Sequence, residues 1–151
     1  MQSIAEFMAE SYRSNTSLTW DVTGVSLATA AFAVDLVKVV VSFERREAAG
    51  PWYVAFEVDR GDSTAIAHSA FAIFNGVLQA TEEFLITREP ETVIFATKRD
   101  ELAGIYQTYL RREAETIEKI GYRLEGPIRV DPYTEFMLTR VRPSGWKTRS
   151  L

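Results

Sequence analysis

The chain has 151 residues, of which 46% are hydrophobic and 25% are charged, and its formal net charge is −4. This composition fits one globular domain, and the negative charge argues against non-specific nucleic-acid binding by the domain as a whole. The chain has no cysteine and one histidine, which excludes disulfides, thiolate zinc sites, cysteine nucleophiles and multi-histidine metal sites. No apolar run reaches the roughly 18 residues that span a bilayer. Glu6 and Glu10 interrupt any signal-peptide pattern, so we expect a cytoplasmic protein without membrane contacts.

Residues 1–27 are predicted to form an N-terminal helix and an irregular lead-in. Apolar side chains recur at helical spacing near one side of the first segment, and the charged side chains lie elsewhere. The apolar positions are Ile4, Phe7, Met8 and Tyr12. This amphipathic helix would pack either on the edge of the domain or on a partner. Residues 17–27 are polar and mixed, which indicates a loop or an irregular strand.

Three segments then alternate apolar and polar residues with a period of two, which is typical of half-buried strands. They span residues 28–34, 37–46 and 52–59. The connections between them are short, so the strands are predicted to form an antiparallel meander. Val40 interrupts the polar side of the second strand, and we therefore expect another part of the structure to cover it.

The centre of the chain is predicted to form a helix, a strand and a second helix. The first helix spans Ala67 to Thr87, the strand Thr92 to Thr97, and the second helix Asp100 to Ile120. The strand is short and β-branched, as expected when both faces are buried, and a helical crossover implies parallel pairing with a right-handed connection. Gly76 inside the first helix indicates a close approach by another backbone. Asp100 is predicted to cap the second helix, and Gly121 to end it.

Two more strands are predicted at residues 122–125 and 133–141, with turns at Gly126-Pro127 and Asp131-Pro132. The domain is thus expected to span residues 28–142. Residues 143–151 form a basic tail that we expect to be flexible.

The order meander, helix, strand, helix, strand, strand resembles the GNAT family of N-acetyltransferases over most of residues 28–142. The resemblance is carried above all by the closing segments "IYQTYL", "KIGYRLEG" and "EFMLTRV". Residues 71–122 are also similar to small bacteriophage proteins described as acetyltransferase-like, which share an aromatic-start helix, a "VIFAT" strand and a tyrosine-bearing helix ending in Gly-Tyr. The resemblance implies an α+β fold with a mixed sheet and helices on both faces.

GNAT enzymes bind the acetyl-CoA pyrophosphate through a [Q/R]-x-x-G-x-[G/A] turn that opens a helix, where backbone N–H groups reach phosphate. The corresponding stretch here is "RGDSTAIAHSA". It keeps Arg60 and Gly61 but lacks the spaced glycines, and Asp59 and Asp62 add negative charge. The step from Tyr106 to Gly121 is also about three helical turns longer than the usual family step.

Catalytic residues follow from the resemblance. Tyr106 would protonate the departing CoA thiolate, and Glu57 or Asp59 would act as general base on an amine. Each residue has a structural alternative, because Tyr106 lies on an apolar stripe and the two carboxylates lie on the polar side of a strand.

Cofactor contacts would come from the loop before the first helix, where Arg60, Gly61, Ser63 and Thr64 could hold an anion. The hydroxyl residues also serve as ordinary helix caps. His68 could contact a ligand or lie on the surface. The basic stretch from Arg140 to Arg149, with Trp146, has the residue types that contact nucleic acid. It is short and interrupted by proline and glycine, which favours a disordered terminus instead.

Two functions follow. The first is a non-catalytic GNAT-like module that binds a host or virion protein, with a homodimer as one form of such contact. The alternative is an acetyl-CoA-dependent N-acyltransferase, for which acetyl-CoA would be the cofactor. No metal is expected in either case.

Overall fold

Strands and helices follow one another along the residues that the structure describes, 17–22 and 24–141. The structure is a computed structural model, and it describes no side chain for residues 63, 67 and 68. The predicted N-terminal helix and the tail at 143–151 lie outside the described residues. In chain order the elements are β1 (Thr19–Val22), β2 (Leu27–Val34), β3 (Val37–Arg45), β4 (Trp52–Arg60), α1 (Ser63–His68), α2 (Ala70–Arg88), β5 (Thr92–Thr97), α3 (Asp100–Arg112), α4 (Ala114–Ile120), β6 (Tyr122–Val130) and β7 (Tyr133–Arg140).

The antiparallel meander is confirmed. β2 pairs with β3 and β3 with β4, and the lead-in contributes the edge strand β1, which pairs with β2. Asp35 and Leu36 form the short connection between β2 and β3. Asp35 takes a left-handed φ of 53°, a conformation that aspartate adopts more readily than most residues. The turn therefore forms without glycine.

β5 lies inside the sheet, whose strand order is β1-β2-β3-β4-β5-β7-β6. It pairs in parallel with β4 and antiparallel with β7. Val93, Ile94 and Phe95 are all at most 6% exposed. These observations confirm the prediction of a buried parallel strand reached through a helical crossover.

The helices pack on one face of the sheet, here called the helical face. Phe84 of α2 stacks on Phe43 of β3, and Tyr106 of α3 contacts Phe95 of β5 and Phe74 of α2. α4 continues from α3 and packs on α2 and β6. The prediction of helices on both faces is therefore wrong for the described residues. The crossovers β4-α2-β5 and β5-α3-α4-β6 step in the same direction across the sheet, and right-handed crossovers of that kind place their helices on the same side.

The other face of the sheet, here called the open face, carries the alternate side chains of each strand. Its members include Val40 and Glu57 in one row and Ile94 and Met137 in another, with the row of Ser42 and Ala55 between them. No described helix packs on this face.

An aromatic stack forms part of the core on the helical face. The rings of Phe43 and Phe84 lie parallel at 4.3 Å, Trp52 meets Phe84 edge-on at 5.0 Å, and Trp20 stacks on Phe43 at 5.7 Å. Aromatic pairs in such geometries contribute about 0.5–1.5 kcal/mol each beyond the area they bury. The short strand β1 is thus held by the Trp20 ring as well as by its pairing with β2.

Both long predicted helices are broken. The first splits at Ser69 and the second at Glu113. Ser69 is buried, and its hydroxyl donates a 3.2 Å hydrogen bond to Asp35 Oδ2 in the β2–β3 turn. Asp100 is the first residue of α3 and not its cap, since Arg99 holds the cap position without a side-chain bond. No glycine or proline marks either break, and periodicity alone therefore missed them.

Gly76 allows a close contact inside a helix, and Gly121 ends one. A Cβ at Gly76 would overlap the ring of Phe32, which is 3% exposed, so the close approach is made by an aromatic ring and not by a backbone. Gly121, with φ 105°, ends α4 as predicted.

β6 runs through the predicted turn at Gly126-Pro127, and that turn prediction is wrong. The register with β7 shifts between Glu125 and Ile128, which is a bulge. Gly126 has φ 122°, and a Cβ there would lie 2.7 Å from the Glu135 carbonyl oxygen. A bulge on an edge strand accommodates both glycine and proline. The turn at Asp131-Pro132 is confirmed.

Candidate functional site

Tyr106 lies inside an aromatic cage on the helical face. Its ring centroid is 5.2 Å from that of Phe95 and between 6.3 and 6.4 Å from those of Phe56, Phe74 and Phe136. The residue is 4% exposed. Burial raises the pKa of its phenol to about 12, since the charged form loses hydration. At neutral pH this phenol is protonated and shielded from bulk water.

Glu57 and Asp59 lie on the opposite side of the sheet from Tyr106. Phe56 of β4 touches Tyr106 on the helical face, and side chains alternate along a strand, so Glu57 and Asp59 point to the open face. Both carboxylates are exposed, and Asp59 forms a 3.5 Å ion pair with Lys38. The structure therefore does not bring the predicted acid and the predicted bases together.

The loop before α1 is closed by one of its own carboxylates. Asp62 Oδ1 accepts a 2.8 Å hydrogen bond from the Ala65 N–H, and the Asp62 carbonyl accepts the Ile66 N–H. This is the usual pattern of a helix N-cap. The Asp62 carboxylate thereby occupies an N–H group that a bound anion would need.

The other predicted loop residues lie around this cap. Arg60 ends β4 and is exposed, and Thr64 is exposed in the first turn of α1. Gly61 takes φ 148°, and a Cβ there would lie 3.1 Å from Val37 Cγ2. The side chains of Ser63 and His68 lie outside the described atoms.

The parallel pairing of β4 with β5 ends early. It joins Trp52 to Val93, Tyr53 to Ile94 and Val54 to Phe95, although β4 continues to residue 60. No described strand pairs with residues 55–60 on the β5 side. The backbone groups along that edge are thus available for hydrogen bonds to another molecule.

An exposed aromatic group lies beside the cage, where α2 meets α3. The Arg112 guanidinium lies 4.9 Å from the Phe71 ring centroid and 4.7 Å from that of Tyr109, and it donates a 3.1 Å hydrogen bond to Asn75 Oδ1. Phe74 stacks on Tyr109 at 5.1 Å. Phe71 is 40% exposed. Phe71, Phe74, Tyr109 and Arg112 are called the aromatic–arginine patch below. The sequence placed these residues on helices but did not predict that they meet.

A second surface lies at the β6 edge of the sheet. A groove of about 610 Å³ runs between α4 and β6, lined among others by Lys119, Tyr122 and Arg123. At the far end of the β6–β7 hairpin, Ile128 and Val130 are 37% and 48% exposed. This edge combines a strand that is outermost among the described strands with apolar side chains.

Arg140, the first residue of the predicted basic stretch, has a structural contact in β7. Its guanidinium donates to the Glu89 carboxylate at 3.3 Å and to the Glu89 carbonyl at 3.4 Å. The remainder of that stretch, from residue 142 and including Trp146, lies outside the described residues.

None of the described helices is long and apolar enough to cross a membrane. The described residues contain no cluster of three or more histidine, aspartate or glutamate side chains placed to bind a metal. No protein-family model, curated protein or solved structure matches the chain significantly.

Proposed function

We propose that this chain is a GNAT-like module that has no acetyl-transfer activity and acts through contacts with another protein. The order of its elements and the parallel pairing of β4 with β5 agree with the resemblance drawn from the sequence. The observation that carries the proposal is the Asp62 cap. Its carboxylate bonds to the first turn of α1, where the resemblance would place the acetyl-CoA pyrophosphate, and a fixed negative charge there opposes a second anion.

The positions of the catalytic candidates support the same proposal. A general acid and a general base must both come within hydrogen-bond reach of the reacting groups. Tyr106 is enclosed by rings on the helical face, whereas Glu57 and Asp59 point to the open face. The sheet separates them, so a single substrate position would not reach all three directly.

The aromatic–arginine patch and the β6 edge are the surfaces that we assign to the partner. Aromatic residues and arginine are enriched at the energetic centres of protein interfaces, and the patch presents both types together on α2 and α3. A free edge strand adds backbone hydrogen bonds to such a contact. Because of the resemblance to bacteriophage proteins, we propose a host or virion protein as the partner. The simplest contact of this kind to test is a homodimer.

One observation favours the alternative, an acetyl-CoA-dependent N-acyltransferase. Residues 55–60 of β4 leave backbone groups unpaired on the β5 side, and the amide groups of a pantetheine arm could bond to them. In that case Tyr106 would supply the proton for the thiolate, and Glu57 or Asp59 would take the amine proton through water.

Titration calorimetry with acetyl-CoA distinguishes the two functions. We expect no detectable binding at millimolar ligand for the wild-type chain. Asp62→Asn is the matched variant, because asparagine caps a helix as well as aspartate does but carries no charge. Micromolar binding by the wild type, lost when Arg60 is changed to alanine, would overturn the non-catalytic proposal.

Sedimentation equilibrium tests the simplest partner, a second copy. If the patch joins two copies, Arg112→Glu shifts the chain from dimer to monomer because it removes the cation from both rings. Arg111→Glu is the control, since this neighbouring arginine is exposed and lies outside the patch. Equal dissociation by both variants would exclude the patch as the contact.

A further inference from the structure

The open face has the features of a surface that another element covers. Ile94 is 6% exposed there, and Val40 is half-buried between Ala31 and Glu57 on the neighbouring strands. A depression of about 100 Å³, lined by Ser42, Glu44, Arg46, Tyr53 and Ala55, lies on the same face. It is smaller than the roughly 300 Å³ of a typical small-molecule site, so it suits a side chain better than a ligand.

The strand register places the start of the described chain beside Val40. Thr19 of β1 pairs with Ala31, Ala31 pairs with Val40, and Val40 pairs with Glu57. These four residues form one row across the sheet on the open face. Neighbouring strands lie about 4.8 Å apart, so the chain enters the sheet about 10 Å from Val40.

The length of the preceding segment suits this distance. Its apolar positions run from Ile4 to Tyr12, which spans about 12 Å in a helix, or between two and three strands. The six residues from Arg13 to Leu18 reach about 20 Å when extended. That is twice the distance from Thr19 to Val40.

The tether favours the chain's own N-terminal segment over a second copy as the cover of the open face. A segment joined to β1 by six residues has a high effective concentration at this face. Charge does not distinguish the two covers, because the carboxylates on the face are nearly balanced by cations. The carboxylates are Asp21, Glu44, Glu57, Asp59, Glu125 and Glu135. The cations are Lys38, Arg46, Arg60, Arg123 and Lys98, the last over the Tyr133 ring.

We infer that the segment from Ile4 to Tyr12 forms an amphipathic helix that docks on the open face of its own chain, with its apolar stripe over Val40. This assigns a cover to the position that interrupts the polar side of β3. It does not depend on the proposed function, because it concerns the face opposite the aromatic–arginine patch.

Paramagnetic broadening of methionine methyl signals tests the inference. The chain lacks cysteine and has three methionines, so one nitroxide can be attached at Glu135→Cys, three strand spacings from Val40. Met137 is the internal control, since it lies on the same face two residues from the label. We expect the label to broaden both Met8 and Met137. A Phe7→Asp change in the same labelled chain should restore the Met8 signal and leave Met137 broadened.

The control variants separate the outcomes. A nitroxide at Glu118→Cys on α4 lies on the helical face and should leave Met8 sharp. A second copy is tested by mixing two preparations, one with the nitroxide but no isotope and one with the isotope but no nitroxide. Broadening of Met137 in this mixture can come only from another molecule. It would identify a second copy as the cover and overturn the inference. A sharp Met8 signal beside a broadened Met137 in the Glu135→Cys chain would overturn it as well, because the segment would then lie away from the face.

Discussion

Two buried tyrosines should make the fold sensitive to high pH. Tyr106 and Tyr122 are 4% and 3% exposed, and burial raises the pKa of each from 10.0 to about 12. The Tyr122 hydroxyl also donates a 2.5 Å hydrogen bond to the Pro90 carbonyl. The native state therefore keeps two protons that the unfolded chain releases at lower pH. Their contribution to stability is complete below about pH 10 and is lost as pH rises through about 12.

The size of the effect follows from the two pKa values. At about pH 11 the unfolded phenol is mostly ionised and the native phenol mostly protonated, which costs about 1.4 kcal/mol for each tyrosine. Both together should lower the free energy of unfolding by about 3 kcal/mol, a large share of the stability of a small domain. The fall should be absent from the Tyr106→Phe, Tyr122→Phe double variant, since phenylalanine has no proton to release.

Urea unfolding followed by tryptophan fluorescence between about pH 8 and about pH 11 measures this difference. The double variant will start lower at neutral pH, by about 1 kcal/mol, because Tyr122→Phe loses its bond to Pro90. Tyr133→Phe is the control, since Tyr133 is 39% exposed and both buried phenols stay in place. If the double variant lost as much stability over this range as the wild type, the burial argument would be refuted.

Other substitutions test the packing and the cap, and chemical denaturation measures them all. Gly76→Ala should destabilise the fold by about 1–3 kcal/mol although alanine favours helix, and a smaller side chain at Phe32 should relieve part of the loss. Phe84→Ala should cost about 3–5 kcal/mol because it empties the centre of the aromatic stack, whereas Lys119→Ala should change stability by less than about 0.5 kcal/mol, since its ion pair is exposed. Asp62→Ala should cost about 1 kcal/mol through loss of the cap, and Asp62→Asn should cost much less; equal losses would contradict the capping role.

Sequence periodicity predicted most of the fold, because a strand buried on one face alternates apolar and polar residues with a period of two. β5 was predicted to the residue, since an apolar, β-branched run of this length between two helices is typical of a strand buried on both faces. The misplaced features depend on contacts far apart in the chain. The break at Ser69 accompanies a bond to Asp35, and the bulge in β6 depends on how Gly126 meets β7.

The candidate site was less predictable for a related reason. The sequence placed Tyr106 on an apolar stripe and Glu57 on a polar strand side, and both placements are correct. Which face of the sheet the helix covers is decided by the direction of the two crossovers, and no local pattern records that direction. The separation of the acid from the bases therefore emerges only in three dimensions.

The short junction of β4 with β5 divides the sheet into two mechanical halves. Three residue pairs cross it, while antiparallel ladders of six or more pairs hold each neighbouring strand within its half. Parallel pairing is also slightly weaker per residue than antiparallel pairing. Under force, heating or native-state fluctuation, the β4–β5 pairing should therefore open first. The amide protons of Val93 to Phe95 that bond to β4 should then exchange with solvent before those of the meander.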